Sequence, residues 1–85
     1  MIYISEEKTE TGAIVIKVDG LLNRKTVDPL SQLISKHLGE NLSILLDLAG
    51  VTHTDEMGKA FLASVRVRND IYFRNTPTFL KMILT

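Results

Sequence analysis

The sequence predicts a small α/β domain: a mixed β-sheet with its helices packed largely on one face, in the order β-β-β-α-β-α-β-α. Short runs rich in β-branched residues alternate with apolar stripes at helical spacing. An apolar run over residues 43–48 lies mid-chain, where a sheet centre belongs, and 85 residues leave room for one core only. Residues 1–85 therefore read as a single domain, with no internal repeat, linker or low-complexity segment.

The first two runs, residues 2–4 and 13–18, are β-branched or aromatic, and the polar stretch between them ends in Thr11-Gly12, which marks a hairpin. Ile14, Ile16 and Val18 share one face of the second run while Val15 and Lys17 share the other, the period of a half-buried strand. Residues 20–23, Gly20-Leu21-Leu22-Asn23, follow as a short extended segment. A helix comes next. Thr26 or Asp28 caps it, Pro29 suits its first turn, Val27, Leu30, Leu33, Ile34 and Leu38 form one apolar stripe, and Gly39 stops it. Residues 43–48 make a continuous apolar strand of the kind buried on both faces. Residues 49–55 form a short polar connection into a second helix, residues 56–68, capped by Asp55, with Phe61, Leu62 and Val65 facing inward. Asn69-Asp70 turns the chain into a strand over residues 71–74. Thr76-Pro77 then opens a last helix whose apolar side is Phe79, Leu80, Ile83 and Leu84.

Ten Lys and Arg balance ten Asp and Glu, so the strongly basic footprint of a nucleic-acid or anionic-membrane binder is missing. The balance hides a split. Residues 1–56 hold five basic and nine acidic side chains, a net −4, and residues 57–85 hold five basic and one acidic, a net +4. Such polarity favours a specific protein partner and salt-sensitive association. The chain has no cysteine, which excludes a disulfide scaffold, a thiolate metal site and a cysteine nucleophile. With 45% hydrophobic and 24% charged residues the composition is that of an ordinary globular domain rather than a disordered chain. The N-terminus carries no basic region followed by an apolar run, and no apolar run is long enough to span a bilayer, so a cytoplasmic protein without membrane insertion is expected.

The segment from Asp47 to Gly58, Asp-Leu-Ala-Gly-Val-Thr-His-Thr-Asp-Glu-Met-Gly, resembles the signature of STAS domains, the sulfate-transporter and anti-sigma-factor-antagonist family. In that family a buried strand ends in Asp-Leu-Ser-Gly-Val, and Asp-Ser/Thr-x-Gly opens the following helix. Residues 18–23, Val-Asp-Gly-Leu-Leu-Asn, resemble the family's Gly-Glu-Leu-Asp segment, and residues 75–84 resemble the opening of its last helix. The resemblance thus covers nearly the whole chain in the right order and implies a short, non-enzymatic STAS domain.

In the family's bacterial regulators the hydroxyl after the motif aspartate is phosphorylated by an anti-sigma kinase, and this controls partner exchange. Here that position is Glu56, which has no hydroxyl to modify. Three readings of Glu56 stand side by side. It is a permanent, weaker stand-in for the phosphorylated state, or a first-turn acid stabilising its helix through the dipole, or the mark of a lost switch on a constitutive assembly surface. Asp55 reads as the helix N-cap with recognition duty besides, and Asn23 stands where the family often has Asp, although Asn is also a plain turn residue. Thr52 and Thr54 keep hydroxyls near the motif that a kinase could use instead, against the ordinary role of bonding backbone groups.

The expected partner-binding surface is therefore Asn23, Thr52, Thr54, Asp55, Glu56, Met57 and Gly58, with Lys59, Ala63 and Arg66 on the outer face of the second helix. The resemblance implies an anti-sigma factor or kinase-like regulator as partner. The alternative is an ABC ATPase-type subunit, with the chain as a structural subunit of a phospholipid-transport complex, and a homodimer is also open. No cofactor, metal or catalytic residue is expected: His53, Asp55 and Glu56 point apart at a helix start, and the glycines are isolated rather than forming a phosphate cradle. Arg66, Arg68 and Arg74 make a small basic cluster suited to an acidic protein patch, and His37 reads as a partly exposed helix residue.

Overall fold

The computed structural model describes residues 2–84, and the side chains of residues 2–82. Four strands and three helices follow one another as β1 (Ile2–Lys8), β2 (Ala13–Leu22), α1 (Val27–Gly39), β3 (Ser43–Thr54), α2 (Glu56–Arg66), β4 (Ile71–Arg74) and α3 (Thr78–Leu84). The sheet runs β1-β2-β3-β4, with β1 antiparallel to β2 and the remaining pairs parallel. This is the mixed sheet the sequence predicts.

Register explains which face the helices cover. Ile14 sits opposite Ile44, which sits opposite Ile71, and Ile16, Leu46 and Phe73 form the next row. All six join the core, five of them nearly or fully sealed from solvent and Phe73 partly buried, together with Leu30 and Ile34 of α1, Leu62 and Val65 of α2 and Leu80 of α3. Burying Leu80 completely stabilises the docking of α3 by roughly 1.5–3 kcal/mol. The alternate positions point to the opposite face, where Lys17, Tyr72 and Arg74 are exposed while Val15 and Asp47 are buried.

Several elements differ from expectation. The extended segment at residues 20–22 is not a third strand but the end of β2, because β3 runs on through the polar connection as far as Thr54 and pairs with it: Gly20 lies opposite Val51 and Leu22 opposite Thr54. Burial of Val51 and Thr54 holds the extension in the sheet. Register shifts between Lys17 and Asp19 and between Gly20 and Leu21 accommodate it, and Gly20 takes a φ of 105°, which a side chain would resist. Thr26 occupies the N-cap position of α1 without a capping bond. The residue that turns the chain after α1 is Asn41, at φ 61°, since Gly39 is still helical. Helix α2 ends at Arg66 rather than Arg68, and Phe79 is exposed where an apolar contact was expected. Ile83 and Leu84 lie outside the described side chains.

His37 is the clearest correction. Expected to be partly exposed, it is 3% exposed, because its ring is bonded on both sides: to Glu6 through Nε2 and to Glu40 through Nδ1. The basic cluster is also dispersed. Arg68 pairs with Asp70, while Arg74, on the sheet face away from α2, pairs with Asp47 at 3.5 Å.

Candidate functional site

The motif residues gather at the end of the sheet where β2 and β3 both give way to helices. Asp55, directly after β3, has an extended backbone and caps α2: its Oδ1 accepts the Gly58 N–H at 2.9 Å. Its Oδ2 accepts the Arg24 backbone N–H at 3.1 Å, from the loop joining β2 to α1. The Asp55 N–H in turn donates to the Leu22 carbonyl. Amide donors, first Gly58 and then Arg24, hold the Asp55 carboxyl below its ordinary pKa, against a smaller opposing effect of burial.

Asn23 sits beside this capping residue and builds the loop. Its Oδ1 accepts the Lys25 N–H at 2.9 Å, and its backbone N–H donates to Thr26 Oγ1 at 2.8 Å. Thr26 turns its hydroxyl back to the Leu21 carbonyl, which explains why it makes no cap for its own helix. The loop is thus closed by a side-chain turn at each end and tied to Asp55 in the middle.

Gly58 is required by close approach. A Cβ there would lie 2.1 Å from Thr54 Oγ1 and 2.4 Å from the Leu22 carbonyl oxygen, so only glycine lets α2 start against both strand ends. Thr54 itself is buried, its Oγ1 donating to the Asp55 carbonyl, whereas the Thr52 side chain is exposed. Glu56 and Met57 project outward beside Asp55. The Glu56 side chain is 91% exposed and pairs with Lys59 at 3.3 Å, and Met57 is 54% exposed. Along α2, Lys59 is half-buried while Ala63 and Arg66 are exposed.

Arg24 and Lys25, both exposed, join this surface although nothing in the sequence pattern marked them. The available signal was Asn23 two residues before Lys25, the spacing of a side-chain turn that folds a loop back on itself. Among the described residues no three His, Asp or Glu are grouped to hold a metal ion, and no helix is long and apolar enough to cross a membrane. Asp55 has both oxygens engaged by amides, and Glu56 faces solvent, so the two carboxylates do not converge on a common point. The surface offers one exposed acid, an exposed thioether and nearby cations around the doubly bonded Asp55.

No family model matches the sequence, and no curated protein matches it. Solved structures do. An anti-sigma factor antagonist from Mycobacterium paratuberculosis superposes with a TM-score of 0.70 at 22% identity, over 86% of this chain and 64% of that one. The unphosphorylated form of the anti-sigma factor antagonist SpoIIAA gives 0.66 at 20% identity, over 94% and 80%. A protein with a SpoIIAA-like fold from Shewanella loihica gives 0.64 at 11% identity, over 95% and 71%. The fold is therefore the SpoIIAA-like, STAS fold, and the chain spans less than two thirds of the mycobacterial protein.

Proposed function

We propose that this domain is a non-enzymatic regulatory module that binds a protein partner through the surface around Asp55, Glu56 and Met57. The observation that carries the reading is the double engagement of Asp55. One carboxylate fastens the start of α2 and the β2–α1 loop together, so the exposed Glu56 and Met57 are presented from a fixed base. Pre-ordering of this kind lowers the entropy cost of association. The likeness of the fold to anti-sigma factor antagonists supports the same reading and points to an anti-sigma factor or kinase-like regulator.

Glu56 supplies a constant negative charge where a phosphorylatable residue would alternate between neutral and charged, so partner choice here is independent of phosphorylation at this position. Affinity purification of the tagged chain from its native cell, followed by mass spectrometry, tests the reading. Retention of a kinase-fold regulator, lost in Glu56→Lys, supports it. Retention of an ABC ATPase-type subunit instead moves the domain to a structural role in a transport assembly. A bound small molecule with no protein partner overturns both.

A further inference from the structure

We propose that Glu6, His37 and Glu40 form a proton-dependent clamp that fixes the edge strand β1 to helix α1. The His37 ring is buried in α1 and meets a carboxylate at each nitrogen: Nε2 faces Glu6 Oε2 of β1, and Nδ1 faces Glu40 Oε1 at 2.9 Å, just past the end of α1. Ionised carboxylates only accept, so both contacts are hydrogen bonds only when both ring nitrogens carry hydrogen. The arrangement is that of an imidazolium between two anions, with charge-assisted bonds on either side. The two carboxylates lie on opposite sides of the ring and do not converge, which distinguishes the cluster from a metal site.

The surroundings make the ring's second proton decisive. A cavity of about 220 Å³ adjoins it, and the charged groups around that space are Glu6, Glu7 and Lys8 from β1 and Lys36 and Glu40 from α1, while β2 contributes only apolar Ile14. Three carboxylates against two ammonium groups leave one negative charge, which the imidazolium balances. When the ring loses a proton, one nitrogen presents a lone pair to a carboxylate and that contact turns repulsive. Glu6 and Glu40 are both partly exposed, so either can swing into water, whereas His37 cannot. Loss of the Glu6 contact removes a side-chain tie between β1 and the helical layer. Behind it lie Ile2 and Ile4, only partly buried, on a strand that among the described residues pairs with β2 alone. The clamp holds while the ring is protonated and the carboxylates are ionised. It opens when the ring gives up one of its two protons, because the carboxylate on that side then faces a lone pair.

Nuclear magnetic resonance on the labelled full chain tests this from about pH 5.5 to 8.5, the range in which histidine ordinarily titrates. The His37 ring signal is followed alongside exchange protection of the amides in the β1–β2 ladder, with exposed His53 as an internal reference. The expected result is a loss of protection of about tenfold, centred on the His37 midpoint and confined to the hairpin, the size expected for one charge-assisted bond. Glu6→Gln, at the rim of the cluster, should fold normally and flatten the profile, and His37→Gln should do the same. Protection that stays level while His37 titrates, a ring that keeps one protonation state throughout, or a step that tracks His53 or persists in Glu6→Gln overturns the proposal.

Discussion

Asp55 and Arg24 are 31 residues apart in the chain, yet the Asp55 carboxylate accepts the Arg24 backbone N–H at 3.1 Å while capping its own helix at Gly58. One side chain therefore sets the relative position of two loops. The surface that carries Glu56 and Met57 rests on that tie, since Arg24, Lys25, Glu56 and Met57 around it are exposed.

Replacing Asp55 separates its charge from its geometry. Asp55→Ala removes both bonds and should lower the melting temperature and raise amide exchange in the β2–α1 loop. Asp55→Asn keeps a capping oxygen and should lose less. The folded-state pKa is lowered by the Gly58 and Arg24 amides, so folding favours the carboxylate. Its stabilisation is present above the unfolded-state pKa and is lost as pH falls through the depressed folded value. The gap in melting temperature between wild type and Asp55→Asn should therefore be steady near neutrality and close below about pH 4. A gap that widened in acid would contradict the assignment.

Two glycines in helices should respond in opposite ways to alanine. Gly58→Ala places a methyl group against Thr54 Oγ1 and the Leu22 carbonyl, and the second of these is backbone that cannot move aside. The expected cost is about 1–3 kcal/mol in urea unfolding. Gly39→Ala, in the last turn of α1 with nothing within 4 Å of its Cβ, should be neutral or stabilising by up to about 1 kcal/mol.

The fold was legible wherever side chains repeat with a local period. Ile14, Ile16 and Val18 announce a strand facing the core, and Leu30 with Ile34 announces the buried side of α1. What escaped depends on partners distant in sequence. The continuity of β2 through Gly20 exists because residues 50–54 pair with it, and a polar sequence such as Thr52-His53 gives no period to read. His37 is polar and sits in a helix, so nothing local says that Glu6, 31 residues away, will meet it. Within the candidate site, Asp55 could be read as a cap from its neighbours alone, whereas Arg24, with Lys25 next to it, is placed there by a bond that crosses between loops.

Glu56 should matter for binding and little for folding. Its side chain is almost fully exposed, and its contributions are a first-turn interaction with the helix dipole and a surface pair with Lys59. Glu56→Ser should cost at most about 1 kcal/mol, and Glu56→Lys slightly more, since it also sets a cation at the positive end of α2. Partner affinity, measured by calorimetry with the protein retained in the purification, should fall by tenfold or more in Glu56→Lys. Unchanged affinity in both variants would remove Glu56 from the binding surface.

Asp47, first residue of the motif, is predicted to act as a structural clasp rather than a contact residue. It is 6% exposed on the sheet face away from the helices, and its carboxylate accepts the Ala49 N–H at 3.0 Å and the Asn75 side-chain amide at 3.3 Å, with the Arg74 guanidinium at 3.5 Å. Asn75 has a φ of 53°, which Asn tolerates better than most residues, and it leads the chain out of β4 towards α3. Asp47→Ala leaves that amide without its acceptor and should cost about 1–3 kcal/mol. At position 75 two effects can be separated. Asn75→Gly loses the bond but relieves the backbone, so its cost should be small, whereas Asn75→Val loses the bond and strains the backbone as well. Urea unfolding of the three variants should therefore rank Asn75→Gly well above Asn75→Val in stability, and combining Asp47→Ala with Asn75→Gly should cost less than the sum of the two, because both remove the same bond. Strict additivity would show that Asp47 and Asn75 act separately.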